Sequence, residues 1–263
     1  MKVAAIAFHS RVGELEHNLS ATKALLCQLA NAGVELALFP ELSLSGYTKE
    51  VPVLKRLQSY QPTVLQDLVH LSEELDMGFA VGFPEELAGH FYIAHWVFYK
   101  GALLGVHRKT HLGPSEQEVF TAGHSIDVFS MGKMKIGIQL CYESHFPEIS
   151  YAQAKQGADM LAYAFASPRE TSAEKGARFQ RFLPARAYDN GCYVLACNLA
   201  QAGVLSCPPL AMVCDPKGKI LQMSAEEPVI ETLDKQVIES IKSSRMGYFN
   251  HEKREGLLRP FYE

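Results

Sequence analysis

No apolar run in these 263 residues approaches the roughly 18 consecutive positions that a membrane-spanning helix needs. The opening run, Val3 to Phe8, stops at His9-Ser10-Arg11, too short for the core of a secretion signal. It reads instead as a buried first strand, and the expected location is cytoplasmic. A basic stripe is also missing. The 25 Lys and Arg residues are outnumbered by 29 Asp and Glu, for a net charge of −4. That speaks against a nucleic-acid partner and against an anionic membrane surface. None of the six cysteines makes a C-x-x-C pair, which removes the usual zinc and redox motifs. Their wide spacing in a long chain without a secretion signal points to free thiols, not a disulfide framework. Internal repeats and low-complexity linkers are absent too.

What the chain does carry is a strand-then-helix alternation. Lys2–Phe8 and Glu35–Phe39 are apolar strands separated by a helix from about Asn18 to Ala32, which Gly33 ends. Pro62 opens a second helix in which Leu65, Leu68, Leu71 and Leu75 recur at helical spacing. Gly78–Phe83 is a strand. Phe91–Tyr99 and Ala102–Arg108 flank a hairpin turn at Lys100-Gly101, and Ile126–Phe129 and Met134–Leu140 flank a second turn. Further helices are expected from Pro147, over Glu174–Asn190 and over Lys235–Ser243. Strands are expected over Asp159–Phe165, Cys192–Asn198, Ala211–Cys214 and Val229–Asp234. Alternation with interspersed hairpins implies an α/β fold with one or two mixed sheets covered by helices.

Three segments place reactive side chains just past such strands, where functional groups gather in α/β folds. Glu41 follows Phe39-Pro40, and a partly buried carboxylate there can exchange protons near neutrality. Lys109 follows the strand ending at Arg108, where an ammonium can hold an oxyanion or lower a thiol's pKa. Cys141 follows Met134–Leu140 and precedes a helix, so its thiol is expected to face solvent at a bend. The other five cysteines are expected to be buried, as free cysteines usually are. His107 and His111 stand four residues apart, but without an H-E-x-x-H arrangement they make a poor metal pair. Taken alone, Glu41 reads more readily as a surface glutamate in a loop and Lys109 as part of a solvated basic patch, whereas Cys141, at a strand end with polar successors, fits the usual buried cysteine poorly.

Together and in order, these segments resemble the Glu, Lys and Cys motifs of the nitrilase, or carbon–nitrogen hydrolase, superfamily. The resemblance runs through Phe39-Pro40-Glu41 with Gly46-Tyr47, Arg108-Lys109 with His111-Leu112, and Cys141-Tyr142-Glu143 with Phe146-Pro147-Glu148. Later it takes in Gly157-Ala158-Asp159, Ala185-Arg186-Ala187 and Asp215-Pro216-Lys217-Gly218. It implies one domain over residues 1–263, built as an α-β-β-α sandwich of two mixed sheets flanked by helices. It implies no metal and no organic cofactor.

The resemblance matches Glu41 to the acid/base, Lys109 to the catalytic lysine, Cys141 to the nucleophile and Glu116 to a second glutamate. Glu116 is preferred over Glu118 for its four-residue spacing to Phe120. Tyr47, Tyr142, His145 and Phe165 are the candidate substrate-binding residues, with Phe146 and Arg169 beside them. The implied reaction is hydrolysis of a small amide through a thioester on Cys141. Tyr142 after the cysteine, where nitrile hydrolases often carry tryptophan, tips the resemblance toward the amidase-like branch. Nitrile or N-carbamoyl hydrolysis, a non-catalytic scaffold, and a Cys–His hydrolase with His145 as base are the alternatives. Leu205-Ser206-Cys207-Pro208-Pro209-Leu210 departs from the Gly- and Ser-containing stretch of many relatives, a region that shapes the pocket. A homodimer or larger even-numbered oligomer is expected, paired through Pro147–Gln156 and a tail from about residue 244 that carries Tyr248, Phe249, Phe261 and Tyr262.

Overall fold

The computed structural model describes residues 1–203, 205–244 and 246–258, so Phe261 and Tyr262 lie outside the described residues. The first half of the chain builds one sheet. Strands β1 (Lys2–Ala5), β2 (Leu36–Leu38) and β3 (Gly78–Leu87) run parallel, and β4 (His90–Tyr99) and β5 (Ala102–Arg108) add on as antiparallel hairpins. Helices α1 (Leu15–Asn31), α2 (Val51–Gln58) and α3 (Gln61–Glu74) connect the parallel strands. The second half repeats the plan. Strands β7 (Met134–Leu140), β8 (Met160–Phe165) and β9 (Tyr193–Asn198) are parallel, joined by α4 (Pro147–Lys155) and α5 (Ser172–Asn190). Antiparallel β6 (Val128–Met131) flanks β7, and β10 (Leu210–Cys214) with β11 (Ile220–Ser224) flank β9. The chain then returns to the first sheet, where β12 (Val229–Thr232) pairs with β1. Helices α6 (Lys235–Ser243) and α7 (Glu255–Leu258) follow.

Each sheet has six strands, in the orders β12-β1-β2-β3-β4-β5 and β11-β10-β9-β8-β7-β6. Their inner faces pack on one another. Val3, Leu36, Leu38, Ile93 and Val97 of the first meet Ile136, Ile138, Leu140, Ala162 and Leu195 of the second. Burying a valine, leucine or isoleucine side chain in this way stabilises by about 1.5–3 kcal/mol. The opposite face of each sheet takes helices. Leu26, Leu29, Leu68 and Leu71 cover Phe79, Val81 and Trp96, while Phe179, Leu183 and Ala187 cover Tyr163, Phe165 and Val194. The expected α-β-β-α sandwich of two mixed sheets is therefore the observed architecture.

Several local expectations shift. Helix α1 starts three residues before Asn18, whose buried side-chain amide bonds the Arg11 and Leu44 carbonyls. Three elements went unassigned from sequence, the four-residue helix α7 among them. Helix α2 is only eight residues long and opens on Val51-Pro52, and β11 is a largely exposed edge strand. Cys27 also departs from expectation. It is exposed on α1, whereas Cys192, Cys197, Cys207 and Cys214 are buried.

Candidate active site

The carboxyl ends of β2, β5, β7 and β8 converge, and the reactive side chains come from the loops just beyond them. Leu42 at φ +53° turns the chain after β2. Its loop lies so close to β3 that a Cβ on Gly82 would come within 2.1 Å of the Leu42 nitrogen. The Ser43 hydroxyl accepts a hydrogen bond from the Gly82 amide at 3.1 Å. Glu41 is thereby folded inward and fully buried.

Lys109 is also buried. Its Nζ donates to Glu41 Oε1 at 2.7 Å and to Glu116 Oε1 at 2.9 Å. Glu116 is held in turn by the Gly113 amide at 2.7 Å and by the Tyr47 hydroxyl at 2.9 Å. Gln201 fixes Tyr47 by accepting from its amide at 2.7 Å. The second sheet supplies Cys141 and the Ala166 amide, which donates to Glu41 Oε2 at 3.0 Å. Cys141 sits at φ +37° at the mouth of the 3₁₀ turn Cys141–His145. A non-glycine residue in that region stores on the order of 1–3 kcal/mol of strain, and such positions cluster at functional sites. Lys175, buried on α5, donates to Ser167 Oγ at 2.9 Å and pairs with Glu170 at 2.5 Å, anchoring the chain beyond Ala166.

Charge is distributed unevenly over this cluster. Burial raises the Glu41 carboxyl to about 7, against the opposing pull of Lys109. Burial disfavours the Lys109 ammonium, but Glu41, the Cys141 sulfur and Glu116 outweigh it and hold its pKa above the ordinary lysine range. Burial and the Glu41 charge push the Cys141 thiol up to about 12, with Lys109 and the Ala166 amide pulling the other way. Tyr47 is likewise raised, by burial and by Glu116. The resting site thus keeps a protonated thiol beside a carboxyl group able to take its proton near neutrality.

The structure brings Glu41, Lys109, Glu116, Cys141 and Tyr47 together; Glu118 stays exposed on the outside. Cys141 is half-buried, less open to solvent than its position at a bend predicts. The remaining sequence candidates divide. Tyr142 packs its ring edge-on against His145 and Phe146, at 5.5 and 5.7 Å. His145 is exposed, and its pKa is lowered by burial and by Arg178 and Arg186, with no contact that would make it a base for Cys141. Phe165 is not on an open wall. It is 1% exposed, stacks on Phe179 at 4.5 Å, and belongs to the cluster against which Cys141 packs. Strand alternation turns it toward α5.

His107 and His111 do not face each other as a metal pair. His107 bonds Glu143 at 2.9 Å, and His111 bonds the Thr110 hydroxyl at 2.9 Å. Sequence reasoning gave no role to the Ala166 amide, Gln201 or Glu143. Only Glu143 carried a signal, as the acid two residues past Cys141.

A fold and site of this kind define a class, and the comparisons agree. The profile of the carbon–nitrogen hydrolase family matches residues 2–243, so the chain belongs to that family of enzymes, which act on carbon–nitrogen bonds other than peptide bonds. Over 94% of its length it is 26% identical to an (R)-stereoselective amidase from a Pseudomonas species, covering 89% of that protein. It is 31% identical to an omega-amidase from Xenopus laevis over 70% of this chain and 69% of that one. Among solved structures, a carbon–nitrogen hydrolase from Helicobacter pylori superposes with a TM-score of 0.90 at 19% identity, over 100% of this chain and 98% of that one. An amidase from Nesterenkonia, seen in one structure with acrylamide added to its active-site cysteine, superposes with a TM-score of 0.84 at 22–23% identity, over 99% of this chain and 96–99% of its own.

Proposed function

We propose that this enzyme hydrolyses a small amide to the acid and ammonia, with Cys141 as nucleophile, Glu41 as general acid and base, and Lys109 and Glu116 as its charged partners. The observation that carries the reading is the buried Lys109 ammonium, bonded to both carboxylates and beside the Cys141 thiol. Glu41 takes the thiol proton as Sγ attacks the amide carbonyl carbon. The oxyanion forms against Lys109 and the Tyr142 backbone N–H; losing one such donor typically costs about 3–4 kcal/mol in the barrier. As the carbonyl re-forms, the C–N bond breaks and Glu41 passes its proton to the departing nitrogen. A thioester remains on Cys141. Glu41 then takes a proton from water, the hydroxide adds to the thioester, and the thiolate leaves and recovers the proton. Glu116, locked by Tyr47 and Gly113, keeps Lys109 pointed at this chemistry.

An amide is preferred to a nitrile because an amide builds its negative charge on a carbonyl oxygen. A nitrile builds it on nitrogen along a linear axis, which the same donors meet less well. Relatives named as amidases, and Tyr142 in place of tryptophan, support the same choice. The test is a matched pair: one acyl chain supplied as primary amide and as nitrile, with Cys141→Ala as control. The amide should show at least roughly tenfold higher kcat/KM, about 1.4 kcal/mol in the transition state. Equal turnover of the nitrile to acid and ammonia would overturn the amide preference. Release of carbon dioxide with the ammonia would instead mark an N-carbamoyl substrate.

A further inference from the structure

Glu41, Lys109 and Glu116 hang from the first sheet, while Cys141 and the Ala166 amide hang from the second. The reaction works only if these halves keep their spacing. Van der Waals contact between two sheet faces sets the layer distance, but it does not lock the sliding of one strand end past another. Hydrogen bonds of fixed length and direction do.

We propose that Glu143 is a positioning residue for the hydrolysis, clasping the strand end of Lys109 to the strand end of Cys141. Its side chain is wholly buried and accepts four hydrogen bonds, two on each oxygen. Oε1 takes the Thr110 amide at 2.8 Å and the Thr110 hydroxyl at 2.5 Å. Oε2 takes His107 Nε2 at 2.9 Å and the Leu140 amide at 2.6 Å. Thr110 and His107 stand on either side of Arg108-Lys109, and Leu140 immediately precedes Cys141. One carboxylate therefore ties the backbone beside the ammonium to the backbone beside the thiol.

The tie is matched in the opposite sense. Glu41 reaches from the first sheet to the Ala166 amide of the second, and Glu143 reaches from the second sheet to Thr110 and His107 of the first. Two carboxylates crossing in opposite directions leave the layers no free slide at this end. Only a carboxylate fits the second role. Glutamine at the same position would accept on one atom and present an NH₂ to two donors, and aspartate is one carbon too short to span both strands. His107 then holds its Nε2 proton toward Glu143, and the Thr110 hydroxyl donates to Glu143 while accepting from His111.

This inference rests on the proposed Cys141 chemistry, and the experiment keeps the two apart. Glu143→Gln, Glu143→Asp and Thr110→Val are compared with Asp159→Asn, a buried carboxylate that bonds the Lys135 amide away from the site. Mass spectrometry counts the Cys141 thiols that iodoacetamide can alkylate, and turnover is expressed per such thiol. Glu143→Gln should lose at least tenfold in kcat per thiol with KM changed less than threefold. Glu143→Asp should recover part of the loss, and Thr110→Val, which removes one of the four donors, should show a smaller loss of a few-fold. Asp159→Asn should lower the melting temperature and leave kcat per thiol unchanged.

Lys109 and the Ala166 amide pull the thiol's pKa down against Glu41 and Glu116. Parting Lys109 from Cys141 should therefore slow alkylation and move its pH profile to the alkaline side. Glu143→Gln and Thr110→Val that melt lower yet keep kcat per thiol and the alkylation profile of the wild type would overturn the clasp. If Glu143→Gln does not fold, Thr110→Val alone decides by the same two readouts. Activity surviving Cys141→Ala would instead overturn the reading on which the clasp depends.

Discussion

Lys109 is buried between two carboxylates, so its charge is both required and confined. Replacing it with alanine strands Glu41 and Glu116 as neighbouring buried acids, and breaking such a pair typically costs about 3–5 kcal/mol. Lys109→Arg keeps the charge but not its shape; a planar guanidinium cannot take the compact ammonium's place between Oε1 of Glu41 and Oε1 of Glu116. Both variants should fall at least about a hundredfold in kcat/KM, near 2.7 kcal/mol, and steady-state kinetics beside a thermal melt separates lost chemistry from lost folding. Near-normal turnover by the arginine variant would refute a placed oxyanion role. Glu116→Gln should cost turnover strongly and Glu118→Gln should not, since only Glu116 reaches Lys109 and Tyr47. The pH profile follows from Glu41, raised to about 7 by burial. In the proposed mechanism it acts first as a base, so kcat/KM should climb as pH rises through about 7. A profile flat from pH 5 to 8 would mean that another group takes the thiol proton. Glu41, Lys109 and Cys141 stand out in the sequence as reactive types just past apolar strands, but only the family resemblance joins them, and it alone, with the spacing to Phe120, singles out Glu116. For Phe165, named as a candidate substrate-binding residue, which of the two packed faces of its strand it joined was not visible in the sequence.

At the scale of elements, the loops that present these residues depend on close backbone approach. Gly82 and Gly123 are two of the places where a side chain would run into backbone. A Cβ on Gly82 would lie 2.1 Å from the Leu42 nitrogen, and one on Gly123 would lie 2.2 Å from the Arg108 carbonyl oxygen. Both obstacles are backbone and cannot rotate away, and overpacking of this kind costs typically about 1–3 kcal/mol. Gly82→Ala and Gly123→Ala should each lower the melting temperature and should cut turnover further than stability alone explains, because the displaced segments carry Glu41 and Lys109. Gly256→Ala, which meets nothing within 4 Å, is the control. Equal turnover per folded molecule in all three would show that the loops tolerate displacement. Glu143 adds a pH test. Burial opposes its charge, but His107 and the donors of Thr110 hold its carboxyl down at about 2, below the ordinary 4.5. A depressed carboxyl adds stability above pH 4.5 and loses it as pH falls toward 2, on the order of 3 kcal/mol. In urea unfolding, the gap between wild type and Glu143→Gln should therefore be widest at neutrality and narrow on acidification. The parallel strands and long helices were readable from their apolar period. Helix α2 and strand β11 were not, since eight residues with a proline, or five half-exposed ones, carry too little pattern to separate from a loop.

At the scale of the whole molecule, the tail and α5 leave several large apolar side chains uncovered among the described residues. After α6 the chain turns back across α4 and α5. Tyr248 is buried against Gly191 and Ile241, and the Lys253 ammonium lies 3.7 Å from the centroid of the Tyr151 ring. Glu255 accepts from Tyr151 and Lys155 on α4. These contacts fasten the tail to the two helices but turn other apolar groups outward: Tyr188, Met246, Phe249 and Leu257 are 50%, 81%, 40% and 55% exposed. Tyr188 and Phe249 also sit side by side, with ring centroids 5.7 Å apart. Single exposed hydrophobics need no explanation, but the adjacent pair Tyr188 and Phe249, with Met246 and Leu257 exposed on the same tail, is a grouping of the kind that interaction surfaces show. A second copy of the chain meeting this face through a two-fold axis would bury it with the fewest requirements, because a two-fold contact uses the same patch twice. The tail on which the expected pairing was placed begins at about residue 244, and α4 is its other half. We therefore expect a dimer of twice the 29.2 kDa chain mass, or an even multiple of it, in light scattering at micromolar concentration. Met246→Glu and Phe249→Glu should shift the population toward monomer while leaving Cys141 as reactive toward iodoacetamide as in the wild type. A single species at the mass of one chain, unchanged by either variant, would remove this face as the subunit contact.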